Sequence, residues 1–222
     1  MKTLSKAIAI ASLVSASALT AQVANAEVSA SVSIANAYLW RGIDLGAAGG
    51  SSAAAFSGSL DYSHASGAYA GIWGSSGDTG SGNETDLYFG FAGEAGSIGY
   101  DIGYATYLYS GEDDIDELAE VYVSVSADAF SATAYIPTDS DSDYRYITLG
   151  AEMGDYSFAL GTTIDAVDAD DASIDADYTH VDVTYAYNDK LAFTYSQIVD
   201  EATEDYMDMG GVFVVSYSLP IE

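Results

Sequence analysis

Six acidic residues are the residues of this sequence with the clearest capacity for chemistry. Each lies on the polar side of a stretch in which apolar and polar residues alternate. The set is Asp61, Asp86, Asp101, Glu120, Glu152 and Asp182. Acids that share an enclosed space attract cations, because low-dielectric walls focus their field. Arg41 follows the first such stretch and has two interpretations, an ion pair that pins the next loop to neighbouring strands or a constriction residue facing the acids.

Catalysis and metal chemistry have weak support. The two histidines, His64 and His180, are not placed beside a recognisable serine nucleophile. No cysteine occurs, which excludes disulfides and thiolate metal sites. Three acidic runs lack the central glycine and closing glutamate of an EF-hand, so solvated loops are a simpler interpretation than calcium sites. They are Glu112, Asp113, Asp114, Asp116, Glu117; Asp139, Asp141, Asp143; and Asp165, Asp168, Asp170, Asp171, Asp175, Asp177. We expect neither an enzyme nor a cofactor.

A two-residue period runs through most of the sequence and is typical of β-strands with one apolar face. In the first strand Val28, Val32 and Ile34 alternate with serines. Twelve strands are favoured, within a range of ten to fourteen, and the orientation of the third is open because both of its faces are bulky. The predicted strands are residues 28–40, 56–62, 68–74, 86–91, 98–104, 119–125, 130–136, 147–153, 156–164, 180–187, 191–196 and 211–219.

Short and long connections alternate between these strands, as they do in antiparallel barrels of the bacterial outer membrane. The long ones are residues 41–52, 75–83, 110–117, 137–143, 165–177 and 199–209. Aromatic residues near strand ends suggest an interfacial girdle: Tyr38, Trp40, Trp73, Tyr100, Tyr144, Tyr156, Tyr187 and Tyr195. The predicted fold is an all-β, up-and-down antiparallel transmembrane barrel with short periplasmic turns and long acidic outer loops. A secreted β-sandwich is the alternative.

The first residues have the form of a secretory signal peptide. Lys2 and Lys6 precede an apolar stretch at residues 7–19, and Ala24-Asn25-Ala26 is a small-x-small cleavage site. We expect residues 1–26 to be removed and residues 27–222 to form one barrel domain. All 34 acidic residues lie in that domain, with Arg41, Arg145 and Lys190 as its bases. This charge argues against nucleic acid as a partner.

Three stretches resemble the Gcw_chp or TorF family of proteobacterial porins. They are Tyr38-Leu39-Trp40-Arg41-Gly42-Ile43, then residues 61–73 with their Asp-Tyr, Ser-Gly and Tyr-x-Gly-x-Trp pattern, and residues 98–104. The resemblance is strong over residues 27–136 and is expected to fade to general alternation beyond them. It implies an outer-membrane β-barrel in a Gram-negative bacterium and a role in passive transport.

The expected function is a narrow passive channel for small solutes with a preference for cations, lined by the six acids and Arg41. The alternative is a structural or adhesion barrel with an occluded lumen and functional surface loops. Outer-membrane lipid and small solutes or cations are the expected partners. Lumen-side tyrosines could form a stacking track for solutes or simply fill the barrel: Tyr88, Tyr107, Tyr122, Tyr135 and Tyr146.

Overall fold

The computed structural model describes residues 26–47, 52–110, 118–139, 143–168 and 171–221. Twelve strands in this part of the chain form a closed antiparallel barrel, and two further strands of two residues pair within the first loop. The strands are β1 (Glu27–Ala35), β2 (Leu39–Trp40), β3 (Ile43–Asp44), β4 (Ala55–Ser63), β5 (Ala68–Asp78), β6 (Gly82–Ala95), β7 (Ile98–Tyr109), β8 (Ala119–Ala127), β9 (Phe130–Pro137), β10 (Arg145–Met153), β11 (Tyr156–Ile164), β12 (Tyr178–Ala186), β13 (Leu191–Glu201) and β14 (Val212–Ile221).

Sequential strands pair as neighbours, and β1 pairs with both β4 and β14. That second pairing closes the sheet, so the barrel has no free edge and its strands satisfy one another's backbone groups. The predicted twelve-stranded antiparallel barrel is confirmed, with both ends of the barrel sequence at the same rim. No helix in the ranges given above is long and apolar enough to cross a membrane.

The residue types that alternate along the sequence lie on opposite faces of the barrel sheet. Apolar residues point outward and stay exposed, for example Phe130 at 69% and Phe56 at 61%, whereas the lumen-side Asp86 is fully buried. The open question of the third predicted strand is also answered. In β5, Ile72 points outward and Trp73 points into the lumen, where its ring lies 6.2 Å from the ring of Tyr38.

Connections at one rim are tight, at residues 64–67, 96–97, 128–129, 154–155 and 187–190. Those at the other rim are longer, as predicted, with one exception. Residues 75–83 are not a long loop, because β5 continues to Asp78 and β6 begins at Gly82. The carboxylate of Asp78 accepts the backbone N–H groups of Gly80 and Ser81, and this local bonding stabilises a tight turn in place of a loop.

The first strand is shorter than predicted, and this changes the interior. β1 ends at Ala35, and the Asn36 side chain bonds the backbone of Phe213 and Val215 on β14. Residues 36–47 then turn into the lumen, where β2 and β3 form a hairpin. Arg41 and Gly42 form its two-residue turn with φ of 47° and 87°, the left-handed pair of a type I′ turn.

This inward turn corrects part of the predicted aromatic girdle. Tyr38 lies inside the barrel at 4% exposure, and Trp40 packs under the Arg41 guanidinium. Trp73 and Tyr144 also belong to the interior. The remaining members are exposed on the outer surface: Tyr100, Tyr156, Tyr187 and Tyr195.

Candidate functional site

The tip of the infolded hairpin meets the barrel wall at an ion pair. Arg41 donates from Nη1 to Glu120 Oε1 at 3.0 Å and from Nη2 to Glu120 Oε2 at 2.6 Å, a two-pronged contact. The side chains are only 5% and 7% exposed. The predicted ion pair that pins the first loop is therefore present, and it joins the hairpin tip to β8 inside the barrel.

Aromatic rings surround the same guanidinium. Its central carbon lies 4.4 Å from the ring centre of Tyr146, 4.7 Å from Tyr135 and 4.6 Å from Trp40. Tyr144 accepts a hydrogen bond from Arg41 at 2.7 Å, and Tyr107 donates to Glu120 at 2.7 Å. Each of these contacts favours a planar cation, through ring faces or through oriented oxygens. We call the wall part of this arrangement, Tyr107, Glu120, Tyr135, Tyr144 and Tyr146, the cage.

Further contacts hold the rest of the hairpin. Tyr178 donates its hydroxyl to the Arg41 carbonyl oxygen at 2.9 Å, and Tyr38 donates to the Glu84 carboxylate. Gly42 lies against the ring of His180 so closely that a Cβ atom would lie 2.6 Å from the ring carbon. Position 42 therefore requires glycine for its backbone conformation and for its contact with His180.

The lumen-side tyrosines form a continuous row with His180. Tyr122, Tyr135 and Tyr146 have ring centres 5.9 and 5.8 Å apart, and the Tyr146 ring stacks on His180 at 6.0 Å. All the predicted lumen tyrosines do face inward. Tyr69 adds hydrogen bonds to Asp101 and Tyr122, and Tyr88 donates to Asp61. These rings pack against one another inside the barrel, while a role as a stacking track for solutes stays a prediction.

The structure brings two of the predicted lumen residues, Arg41 and Glu120, into contact, and spreads the other acids around the wall. Asp101 is buried and accepts from Tyr69. Asp61 is partly exposed and also accepts from Ser59. Asp182 contacts His180 at 3.1 Å. Glu152 is exposed at the rim with tight turns.

Sequence reasoning missed one acid, Glu84. It is 2% exposed and lies two residues before Asp86, on the same face of β6. Glu84 Oε1 and both Asp86 carboxyl oxygens have no hydrogen-bond partner within the described part of the chain. The two-residue spacing was visible in the sequence, but β6 was predicted to begin only at Asp86.

The histidines make two different contacts. His180 bonds Tyr146 through Nε2 at 2.7 Å and Asp182 through Nδ1, so its ring nitrogens are engaged by a phenol and a carboxylate. His64 contacts Ser66 at 2.9 Å in an exposed turn, a local contact two residues apart. Neither histidine connects a serine hydroxyl to a carboxylate through these contacts.

The acidic loops are only partly described. Glu112, Asp113, Asp114, Asp116, Glu117, Asp141 and Asp170 lie outside the described residues. In the parts of the loops that are described, Ser173 hydrogen bonds hold the pKa of Asp171 below its usual range. No group of three or more acidic or histidine side chains placed to hold a metal ion occurs among the residues that the structure covers.

Comparison with solved structures supports the fold. The "KdgM porin" matches with a TM-score of 0.50 and 8% identity over 88% of this chain and 99% of that chain. The outer membrane phospholipase A from Escherichia coli matches with a TM-score of 0.42 and 10% identity, over 86% of this chain and 88% of that one. At such low identity the first likeness concerns the fold alone, and the second adds no argument. No curated protein matches the sequence.

The family comparison reaches further than the sequence motifs suggested. A family model described as "Bacterial protein of unknown function (Gcw_chp)" matches residues 20–209. The resemblance was expected to fade after residue 136, but the match continues through β9 to β13, where alternation had been the visible signal. The chain belongs to the Gcw_chp family.

Proposed function

We propose that this barrel is a narrow passive channel of the bacterial outer membrane, for small solutes and with a preference for cations. The observation that carries the proposal is the character of the two faces. The outward face is apolar, whereas the lumen keeps carboxylates and hydroxyls along its wall. A barrel that only filled its interior would be more stable with apolar packing there, because buried charges lose hydration.

The apolar outward face and the closed sheet support the proposed location in the outer membrane. Only structures that satisfy all backbone groups internally are stable in lipid, and a closed barrel with an apolar belt does so. We place the tight-turn rim at the periplasm and propose that residues 1–26 direct export. Outer-membrane lipid and small solutes are the partners in this proposal, and nucleic acid is not.

A simple gel experiment tests the membrane barrel. Unheated protein from outer-membrane fractions is expected to migrate differently from boiled protein, because a closed barrel resists dodecyl sulfate until it is heated. Its core should also withstand added protease in membrane vesicles. Recovery of the exported protein in a soluble fraction without detergent would reject the membrane location.

The second candidate is a structural or adhesion barrel with an occluded lumen. One observation favours it: the hairpin and the tyrosine row fill the lumen around Arg41. A closed lumen passes no steady current, so single-channel recording in planar bilayers separates the two functions. We expect small, steady conductance steps, and their complete absence would leave the structural barrel as the function.

Cation preference has a charge argument of its own. The described lumen wall carries Asp61, Asp101, Glu152 and Asp182, together with the buried Glu84 and Asp86, while Arg41 is already paired with Glu120. Confined acids raise the local concentration of cations over anions. The preference should weaken with added salt, because the screening length falls from about 10 Å at 0.1 M to about 3 Å at 1 M.

Neutralising Asp61, Asp101 and Asp182 together to Asn is expected to lower the potassium-to-chloride permeability ratio by at least about twofold. Glu120 is left unchanged, because without its carboxylate the positive charge of Arg41 would no longer be paired. The matched control neutralises the exposed Asp171, Asp205 and Asp208, which changes the net charge equally but outside the lumen. Reversal potentials across a KCl gradient measure both. Equal effects of the two triple variants, or anion preference in the wild type, would contradict the lumen assignment.

A further inference from the structure

The cage is built by the barrel wall and not by the hairpin that enters it. Tyr107, Glu120, Tyr135 and Tyr146 belong to the consecutive strands β7, β8, β9 and β10. Tyr135 pairs directly with Tyr146 across the sheet, so their spacing is fixed by strand register. Tyr144 precedes β10. The wall therefore presents these groups whether or not Arg41 lies between them.

The chemistry of the cage matches an organic cation. Its rings lie 4.4 and 4.7 Å from the guanidinium carbon, and its carboxylate takes two N–H groups in parallel. Ring faces attract guanidinium and alkylammonium ions, while a carboxylate opposite them adds charge and orientation. A strongly hydrated inorganic cation gains less from such faces, because it would first lose its water.

The Arg41 side chain, which lies in the cage, is covalently attached to the hairpin. Arg41 is one of the two turn residues of the hairpin, and its backbone has the left-handed φ of 47° that residues with side chains rarely adopt. That conformation is unfavourable for a residue other than glycine, and the contacts around Arg41 compensate for it. A free cation of the same shape would have to compete with the Arg41 guanidinium for these contacts. Because that guanidinium is attached to the chain, its effective concentration at the cage is on the order of millimolar.

We propose that the cage is a binding site for guanidinium and alkylammonium groups, and that Arg41 is its internal occupant. An organic cation that takes the place of the Arg41 guanidinium removes the side-chain contacts of the hairpin tip with the cage, while Tyr178 and His180 still contact its backbone. The access of solutes to the cage rests on the proposed channel. The solute class of the protein is then small organic cations, which enter the lumen and displace the Arg41 side chain.

The test removes the occupant and keeps the turn. Arg41→Asn suits this purpose, because Asn-Gly is a preferred type I′ pair. Calorimetric titration of the detergent-purified full chain with guanidinium and with tetramethylammonium, against sodium at equal ionic strength, gives the affinities. The Arg41→Asn variant is expected to bind guanidinium at least about tenfold more tightly than the wild type does. Adding Glu120→Gln or Tyr135→Leu should abolish the gain.

The possible results separate the site from the channel. A folded Arg41→Asn barrel, judged by heat-modifiable migration, that binds guanidinium no better than sodium overturns the cage proposal. Tight binding by a variant whose wild type carries no current supports the cage and rejects the channel. If Arg41→Asn does not fold, Arg41→Gly keeps an allowed type I′ pair and is judged by the same criteria.

Discussion

Replacing Glu120 with Gln is expected to lower the free energy of unfolding by about 3–5 kcal/mol, which is the usual effect of removing one partner from a buried ion pair. The variant leaves the Arg41 guanidinium inside the barrel without a carboxylate, and the single amide oxygen of Gln cannot accept from both Nη atoms as Glu120 does. The Tyr107 hydroxyl, which donates to Glu120 in the wild type, then competes with Arg41 for that one acceptor oxygen. Urea unfolding in lipid vesicles measures the change. Urea is the suitable denaturant because guanidinium is a ligand of the proposed cage.

Two control variants identify the cause of that loss. Glu152→Gln removes an exposed lumen carboxylate and should change the free energy of unfolding by no more than about 0.5 kcal/mol. The double variant Arg41→Asn with Glu120→Gln removes both charges and should recover much of the stability lost by Glu120→Gln alone. If Glu120→Gln and Glu152→Gln had equal effects, the ion pair would not hold the hairpin.

Replacing Val123 with Arg is expected to destabilise the barrel in lipid by about 2–4 kcal/mol, the effect of a cationic side chain near the middle of the bilayer. Val123 is the central residue of β8 and is 40% exposed on the outward face. The arginine would have to lose its water or distort the bilayer around it. Unfolding in vesicles measures the loss of stability, and assembly yield gives a second measurement.

The adjacent residue provides the matched control. Ser124 faces the lumen, where its hydroxyl accepts from Thr133 at 2.9 Å. Ser124→Arg adds the same side chain one residue further along β8, but in a polar space, and should cost less than about 1 kcal/mol. A larger cost at Ser124 than at Val123 would mean that the two faces had been assigned in reverse.

The barrel was predictable because one physical rule acts along its whole length. Each strand separates lipid-facing from lumen-facing residues, so the two-residue period appears wherever strands such as β7 or β12 occur. β5 could not be oriented from its own residues, because Ile72 and Trp73 are both bulky. Its pairing with β4 and β6 decides the matter, since it places Trp73 opposite the lumen residues Ser59 and Asp86.

The hairpin shows where that rule fails. Tyr38 and Trp40 continue the alternation of β1, so the sequence predicted that both would point outward. The strand ends because Asn36 bonds the backbone of β14, a partner 179 residues away along the chain. No local pattern encodes such a contact. The Arg-Gly pair at positions 41 and 42 was the available local signal, as a candidate two-residue turn at the start of the first predicted loop.

The site was predictable as a set of residues and not as a set of contacts. Arg41 and Glu120 were both expected to line the lumen, but their pairing depends on how far the hairpin descends and on which strand it meets. Four aromatic rings around Arg41 could not be assigned for the same reason. Glu84 was missed because the extent of β6 depends on the tight turn made by Asp78.

The seam between β1 and β14 links barrel closure to the position of the hairpin. Ala35 is bonded in register to Ala55 nearby and to Ser216 at the far end of the chain. The first of these pairings joins strands that are adjacent in the barrel sequence, whereas the second requires the last strand. Because Asn36 bonds that same last strand, the base of the hairpin gains this anchor only as the seam forms. Closure of the barrel and anchoring of the hairpin base are thus one assembly step. A chain that ended before β14 would have two open sheet edges, and its hairpin would lack the anchor on β14.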